Sequence, residues 1–119
     1  MNDKHFNEVV CDRVAAIQAV LSAKAKEYAR GDRLSNFKRA GEIGRTIPER
    51  ALVGMLLKHL VSVLDYVDTL ESTGELDFTI NFAEKIGDSI NYLILLEALM
   101  IERKLQSMVG SIEKKSARK

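Results

Sequence analysis

Apolar residues recur every three or four positions along most of the chain, the spacing that places them on one face of an α-helix. The first such run extends from about Asp3 to Ala29, with Asn2 or Asp3 as its N-cap and Gly31 just past its end. The run therefore predicts a first long amphipathic helix. Its apolar positions are Phe6, Val9, Val10, Val14, Ile17, Val20, Leu21, Ala25 and Tyr28, and its charged residues, Arg13 among them, are expected on the solvated face.

A second long helix is predicted from the segment Thr46-Ile-Pro-Glu49 to about Glu71. Thr46 precedes Glu49 by three residues, the spacing of a capping box, and Pro48 lies in the first turn, where its missing N–H costs least. Residues 72–77 are predicted to form a turn.

The third long helix should begin between Asp77 and Asn81 and extend to about Arg103 or a little beyond. A short helix is predicted from about Leu34 to Ile43, within a glycine-punctuated connection. The sequence thus predicts an all-α bundle of three long helices and one short helix in a single domain, residues 1–108. Residues 109–119, rich in Lys and Ser, are predicted as a mobile basic tail.

Glu84, Asp88 and Asn91 form a polar stripe on the third long helix, because residues three and four apart share one helix face. Ile and Leu cover most of the remaining surface, which suits an inward-facing polar site. Two alternatives stay open. Asn81 and Glu84 have the spacing of a capping box, so Glu84 could serve only the helix start. Asn91 could simply bridge two helices.

The second long helix carries a similar stripe of Lys58, Ser62 and Asp65, and His59 lies at the edge of this stripe. Two polar stripes in apolar surroundings are best satisfied when they face each other, so we expect the two helices to do so. The alternatives are a structural ion pair between Lys58 and Asp65, and a hydrogen-bonded core position for His59.

Composition narrows the class of protein. The 18 basic and 17 acidic residues nearly cancel, so neither duplex nucleic acid nor a membrane surface is expected as a partner held by bulk charge. The single cysteine, Cys11, cannot form an intramolecular disulfide, and the polar N-terminus predicts no signal peptide. A cytoplasmic protein is expected.

Three helices this apolar are not expected to cover one another, which predicts a homo-oligomer, a dimer or a tetramer.

Five Arg or Lys residues lie between Arg30 and Arg45, beside Asn36. Arginine and a helix start both suit a polyphosphate ligand, although a solvated basic turn explains the same composition. Acids on facing helices suit Mg²⁺, which shares phosphate oxygens with a substrate. The tyrosines pack in bundles by default, although one could stack on a base.

A family resemblance rests on these residues. The run Glu84-Lys-Ile-Gly-Asp88-Ser-Ile-Asn-Tyr92-Leu resembles the acid-containing helix of MazG-like all-α nucleoside triphosphate pyrophosphatases. The succession Lys24-x-x-Glu27-Tyr28, Asn36-Phe37-Lys-Arg, Lys58-His59 and Asp88-x-x-Asn91-Tyr92 is similar to small phage proteins related to the nucleotide-modification-associated domain. The resemblance covers residues from about 20 to 100. It implies an α-helical bundle, dimeric or larger, that uses Mg²⁺ to hydrolyse a nucleoside triphosphate to the monophosphate and pyrophosphate.

The chain also departs from that pattern. Where such enzymes usually carry a Glu-x-x-Glu pair on the second helix, this sequence has His59-x-x-Ser62, and Lys85 stands where a second acid often precedes the Asp. Fewer acids imply weaker metal binding. A nucleotide-binding or sequestering phage protein without turnover, and a purely structural helical oligomer, are therefore the two alternatives to the enzyme.

Under the enzyme hypothesis the candidate residues divide by role. Glu84, Asp88 and Asp65 are expected to hold Mg²⁺. The residues expected to act in catalysis are Asp88, Glu84, Lys58 and His59. The residues expected to bind the phosphates or the nucleoside are Lys24, Tyr28, Arg33, Asn36, Arg39 and Asn91, together with Lys58.

Overall fold

The structure, a computed structural model, describes the backbone of residues 1–27 and 31–117 and the side chains of residues 1–22 and 31–115. Four α-helices follow one another: α1 (Asp3–Glu27), α2 (Ser35–Gly44), α3 (Pro48–Thr73) and α4 (Phe82–Ala117). The described residues contain no strand. The predicted all-α class, with three long helices and one short one, is confirmed.

The helix ends show which sequence signals act locally. α3 starts with Pro48 at its first position after Ile47, and no described side chain caps it. The predicted capping box at Thr46 is therefore wrong, because Glu49 turns away to pair with Arg103, 2.7 Å distant, on α4. α3 ends at Gly74, whose positive φ of 72° allows its N–H to reach the carbonyl of Leu70.

A small core holds α2, α3 and α4 together. Its buried members are Leu34 and Phe37 from the start of α2, Leu52 and Leu56 from α3, and Leu99 from α4. Leu52 has no exposed surface at all. Tyr92 packs against this cluster from α4.

α1 stands apart from this core, because among the described helices it packs only on α4. Arg13 makes the main polar contact, donating a hydrogen bond of 2.8 Å to the carbonyl of Ala83. Much of the apolar face of α1 remains open. Phe6, for example, is 58% exposed. The apolar face predicted for this helix is thus only partly covered within one chain.

α4 is longer than the sequence pattern suggested. It extends to Ala117 rather than ending near Arg103, so residues 109–117 of the expected tail are helical. The physical reason is that the three-and-four spacing of apolar residues continues through Leu105, Met108 and Ile112. Within the described residues, no helix combines the length and hydropathy needed to cross a bilayer.

Candidate functional site

The polar stripe of α4 lines a groove between α1 and α4, and we call this space the α1–α4 groove. It encloses about 850 Å³. Glu84 is exposed, Asp88 is half-buried and Asn91 is buried, so the stripe passes from the surface toward the interior. Apolar side chains of α1 and α4 form the rest of the lining, among them Phe6, Val10, Val14, Ile86 and Ile90.

The N-terminal cap of α4 does not use the carboxylate of Glu84. Asn81 accepts a hydrogen bond of 3.1 Å from the backbone N–H of Glu84, as a helix cap should. The carboxylate of Glu84 forms no hydrogen bond or ion pair with the described residues, so the reciprocal half of the capping box is not made. Glu84 therefore remains available to a ligand.

His59 faces the stripe from α3. Its Nδ1 atom lies 3.7 Å from Oδ2 of Asp88, and its ring stacks on Tyr92 with centroids 4.8 Å apart. The side chain of His59 is 34% exposed and that of Asp88 is 41% exposed. The pair is thus anchored on one side and open to water on the other. α3 and α4 thus meet through a polar pair formed by His59, which flanks the stripe of α3, and Asp88 of the α4 stripe.

The predicted partners Lys58 and Asp65 do not take part in this meeting. Both are exposed, and neither forms an ion pair with any other described residue. Burial of Leu52 and Leu56 fixes the rotation of α3, and His59 continues their spacing toward α4. Lys58 lies about 100° around the helix from His59 and so points away. The expectation that Lys58 and Asp65 face Asp88 is wrong for this reason.

The acids do not assemble a metal centre by themselves. Within the described part of the chain, no three His, Cys, Asp or Glu residues lie close enough together to hold a metal ion. Asp65 is therefore not joined to Glu84 and Asp88, which leaves two acids one helical turn apart. Mg²⁺ is often held by one or two carboxylates plus substrate phosphates, so these two acids suit a metal that arrives with a nucleotide.

A second, smaller space borders Tyr92, and we call it the Arg33 pocket. It measures about 140 Å³ and is lined by Leu21, Arg33, Asn36, Phe37, Met55, Tyr92 and Leu95. Nη2 of Arg33 donates a hydrogen bond of 2.7 Å to the carbonyl of Leu21. Its Nε atom is buried and has no hydrogen-bond partner among the described residues. A buried donor of this kind suits an anionic or carbonyl group of a ligand.

The remaining predicted ligand residues are less informative. Arg39 is exposed on α2, outside the lining of either space. Lys24 and Tyr28 fall outside the residues whose side chains the structure describes.

Asn91 is the most unusual residue of the stripe. It is 7% exposed, and its Oδ1 atom is buried without a hydrogen-bond partner among the described residues. Leaving a buried acceptor unpaired costs about 1–3 kcal/mol. The alternative role of bridging two helices is not seen for this oxygen among the described residues. Asn91 as a residue lines the α1–α4 groove.

Arg13 lines the α1–α4 groove, although the sequence pattern did not predict a role for it there. Its guanidinium occupies the space that a side chain at position 87 would need. The sequence did contain a signal, since Arg13 stands between Val10 and Ile17 in the apolar spacing of α1. A glycine at position 87 leaves room for it. The expectation that Arg13 belongs to the solvated face is wrong.

No family model, curated protein or solved structure matches this chain.

Proposed function

We propose that this protein binds a nucleoside triphosphate in the α1–α4 groove and hydrolyses it, with Mg²⁺, to the monophosphate and pyrophosphate. The observation that carries the proposal is the position of Glu84, Asp88 and Asn91 along one wall of that groove. Its volume lies within the range of about 300–1,000 Å³ that is usual for small-molecule sites. The resemblance to MazG-like pyrophosphatases supports the same reaction.

Glu84 and Asp88 are the residues that would hold Mg²⁺. Their oxygen donors, their spacing of one turn and their partial exposure fit an ion that keeps several waters. When bound, the metal would neutralise charge on the phosphates during attack by water. His59, which lies beside Asp88 and is partly exposed, would accept a proton from the attacking water.

Two buried polar atoms that have no hydrogen-bond partner among the described residues would bind the rest of the nucleotide. Oδ1 of Asn91 would accept a hydrogen bond from the nucleoside, and Nε of Arg33 would donate one within the Arg33 pocket. The Arg33 pocket is smaller than a nucleotide site needs, so it would take one part of the ligand. Arg39, Lys58 and Asp65 have no part in this arrangement.

A second candidate is nucleotide binding or sequestration without turnover, as in a phage factor. One observation favours it: the described residues do not form a three-ligand metal group. The site residues are then the same, and only the chemistry is lost. We place either activity in the cytoplasm, which agrees with the free, exposed thiol of Cys11.

One experiment separates the candidates. The protein is incubated with a panel of ribo- and deoxyribonucleoside triphosphates and Mg²⁺ while pyrophosphate is measured, and thermal shifts are recorded in parallel. Turnover that Asp88→Ala abolishes and the control Asp68→Ala retains supports the enzyme, since Asp68 is an exposed acid on α3. A ligand-dependent rise in Tm without turnover supports sequestration. No response in either assay contradicts both.

A further inference from the structure

The chain exposes far more surface than a compact monomer of its size. Its accessible surface is 9415 Å², whereas a folded monomer of 13.3 kDa exposes about 6,500 Å². Its radius of gyration is 19.0 Å, against about 13.5 Å for a compact domain of this length. The excess of about 3,000 Å² is several times the roughly 800 Å² that each partner buries in a standard interface. The chain therefore has enough uncovered surface for an interface with a second molecule.

The outer face of α4 shows where that second molecule binds. From Ile94 onward, apolar residues alternate at intervals of four and three, the spacing of a coiled-coil heptad. We call these residues the α4 seam: Ile94, Ala98, Ile101, Leu105, Met108 and Ile112. Ile94 and Ala98 are half-buried, and Ala98 packs partly against the core cluster. Exposure rises farther along the seam, to 50% at Ile101, 56% at Leu105 and 63% at Ile112, where the core leaves it uncovered.

We propose that the α4 seam pairs with the α4 seam of a second copy of this chain, in antiparallel orientation about a twofold axis. In this register Ala98 of one copy faces Ile101 of the other, and Ile94 faces Leu105. Each contact occurs twice because the axis relates the two copies. We assign the partner as a second copy of this chain because a helix pair needs two matching apolar faces, and two copies of α4 provide both.

Charges beside the seam select the antiparallel orientation. The flanking residues Glu97 and Lys104 are both exposed, and neither forms an ion pair among the described residues. In the antiparallel register Glu97 of each copy lies opposite Lys104 of the other, which gives two equivalent ion pairs. In a parallel pair, Glu97 would lie opposite Glu102, which is already paired with Lys38 of its own chain, so no new ion pair would form. The sequence is thus self-complementary in one orientation only.

α1 limits the paired segment and keeps the proposed ligand site outside it. Arg13 covers Gly87, and Asn91 is buried, so α1 of the same chain already occupies the line of the seam before Ile94. Pairing therefore spans residues 94–105. Met108 and Ile112 then run toward α1 of the second copy. The proposal does not depend on nucleotide binding, and either can fail alone.

The first test measures the mass of the full chain in solution by light scattering at micromolar and higher concentrations. We expect twice the chain mass of 13.3 kDa for the wild type. Leu105→Glu should weaken dimerisation at least about tenfold, because the pairing buries this side chain. Leu57→Glu is the matched control, since Leu57 is 53% exposed on α3, away from the seam. A monomeric wild type, or a dimer that only Leu57→Glu disrupts, overturns the proposal.

The second test checks orientation and does not depend on an apolar-to-charged change. Glu97→Lys and Lys104→Glu should each weaken the dimer, because each places like charges opposite one another. The double variant Glu97→Lys/Lys104→Glu should recover wild-type affinity in the antiparallel pair. If the double variant is as weak as the singles, the register proposed here is wrong. Circular dichroism of each variant verifies that the helices are retained.

Discussion

His59 on α3 and Asp88 on α4 approach to 3.7 Å at the edge of the α1–α4 groove. This pair joins the core to the proposed ligand site, because His59 also stacks on Tyr92, which packs against the buried cluster. A carboxylate beside the imidazole helps to orient the ring. The geometry therefore gives Asp88 a fixed neighbour on one side and open space on the other.

His59→Ala tests whether this neighbour matters for the reaction. The variant removes the ring beside Asp88 and the stack on Tyr92, so we expect turnover to fall about 10²-fold if His59 moves a proton. His5→Ala is the control, because His5 is exposed near the start of α1. Single-turnover kinetics across pH 5–8 provide the measurement. Equal rates for both variants would remove His59 from the mechanism.

Asn91→Leu tests whether a buried polar group is kept for a ligand. Replacing an unpaired acceptor by an apolar side chain of similar size should leave stability unchanged or raise it by about 1 kcal/mol. The same change should weaken nucleotide binding, because the Oδ1 acceptor is lost. Urea unfolding and calorimetric titration measure the two effects. A loss of stability above about 2 kcal/mol would instead indicate that Asn91 has a structural partner.

Gly41→Ala should destabilise the turn between α2 and α3. A Cβ at position 41 would lie 2.8 Å from the carbonyl oxygen of Thr46 and 3.1 Å from the nitrogen of Pro48, both backbone atoms that cannot rotate away. Gly44→Ala is the matched control on the same helix, since the nearest atom to its Cβ is a methyl group 3.8 Å away. We expect Gly41→Ala to cost about 1–3 kcal/mol in thermal or urea unfolding. Equal stability of the two variants would contradict this close contact.

An ion-pair network gives the stability a defined pH dependence. The hydrogen bond from Lys38 lowers the pKa of Asp32 below its ordinary value of 3.8, and a backbone N–H bond from Leu34 adds to this. The bonds to Asp32 and then to Glu102 raise the pKa of Lys38 above 10.5. The contribution of Asp32 is therefore full above about pH 4 and is lost as pH falls through its lowered pKa. That of Lys38 is full below about pH 10 and is lost as pH rises through its raised pKa.

Lys38→Met should accordingly be less stable than the wild type at pH 7, and the difference should shrink as pH falls below about 4. The difference should be modest, because the side chains of Lys38 and Asp32 are 36% and 43% exposed. Lys4→Met, at an exposed position of α1, is the control. Urea unfolding at pH 7 and pH 3 measures the effect. A gap between Lys38→Met and wild type that is as large at pH 3 as at pH 7 would argue against this network.

The elements of this fold could be predicted because each depends on local spacing. Apolar residues three and four apart define α1, α3 and α4, and Pro48 and Gly74 mark the ends of α3. α4 is longer than predicted. The Lys and Ser residues beyond Met108 are typical of a tail, but the apolar spacing of a helix continues to Ile112.

The site was harder to predict, because it depends on how each helix is rotated about its axis. The polar stripe of α4 was recognised, but α3 turns His59 rather than Lys58 toward it, since burial of Leu52 and Leu56 sets that rotation. Periodicity alone does not rank two adjacent polar residues at the margin of an apolar face. The position of Arg13 in the groove could not be predicted from local spacing, because its partners, Ala83 and Gly87, are some seventy residues away in sequence.

The most direct test of the account is a map of where a nucleotide binds. Amide chemical shifts of the labelled protein are recorded by NMR as a nucleoside triphosphate with Mg²⁺ is added. We expect the largest changes at residues 84–92 of α4 and 33–37 around the start of α2, with little change at residues 64–73 of α3. The absence of any change across the nucleotide panel, or changes confined to the far end of α3, would contradict the proposed site.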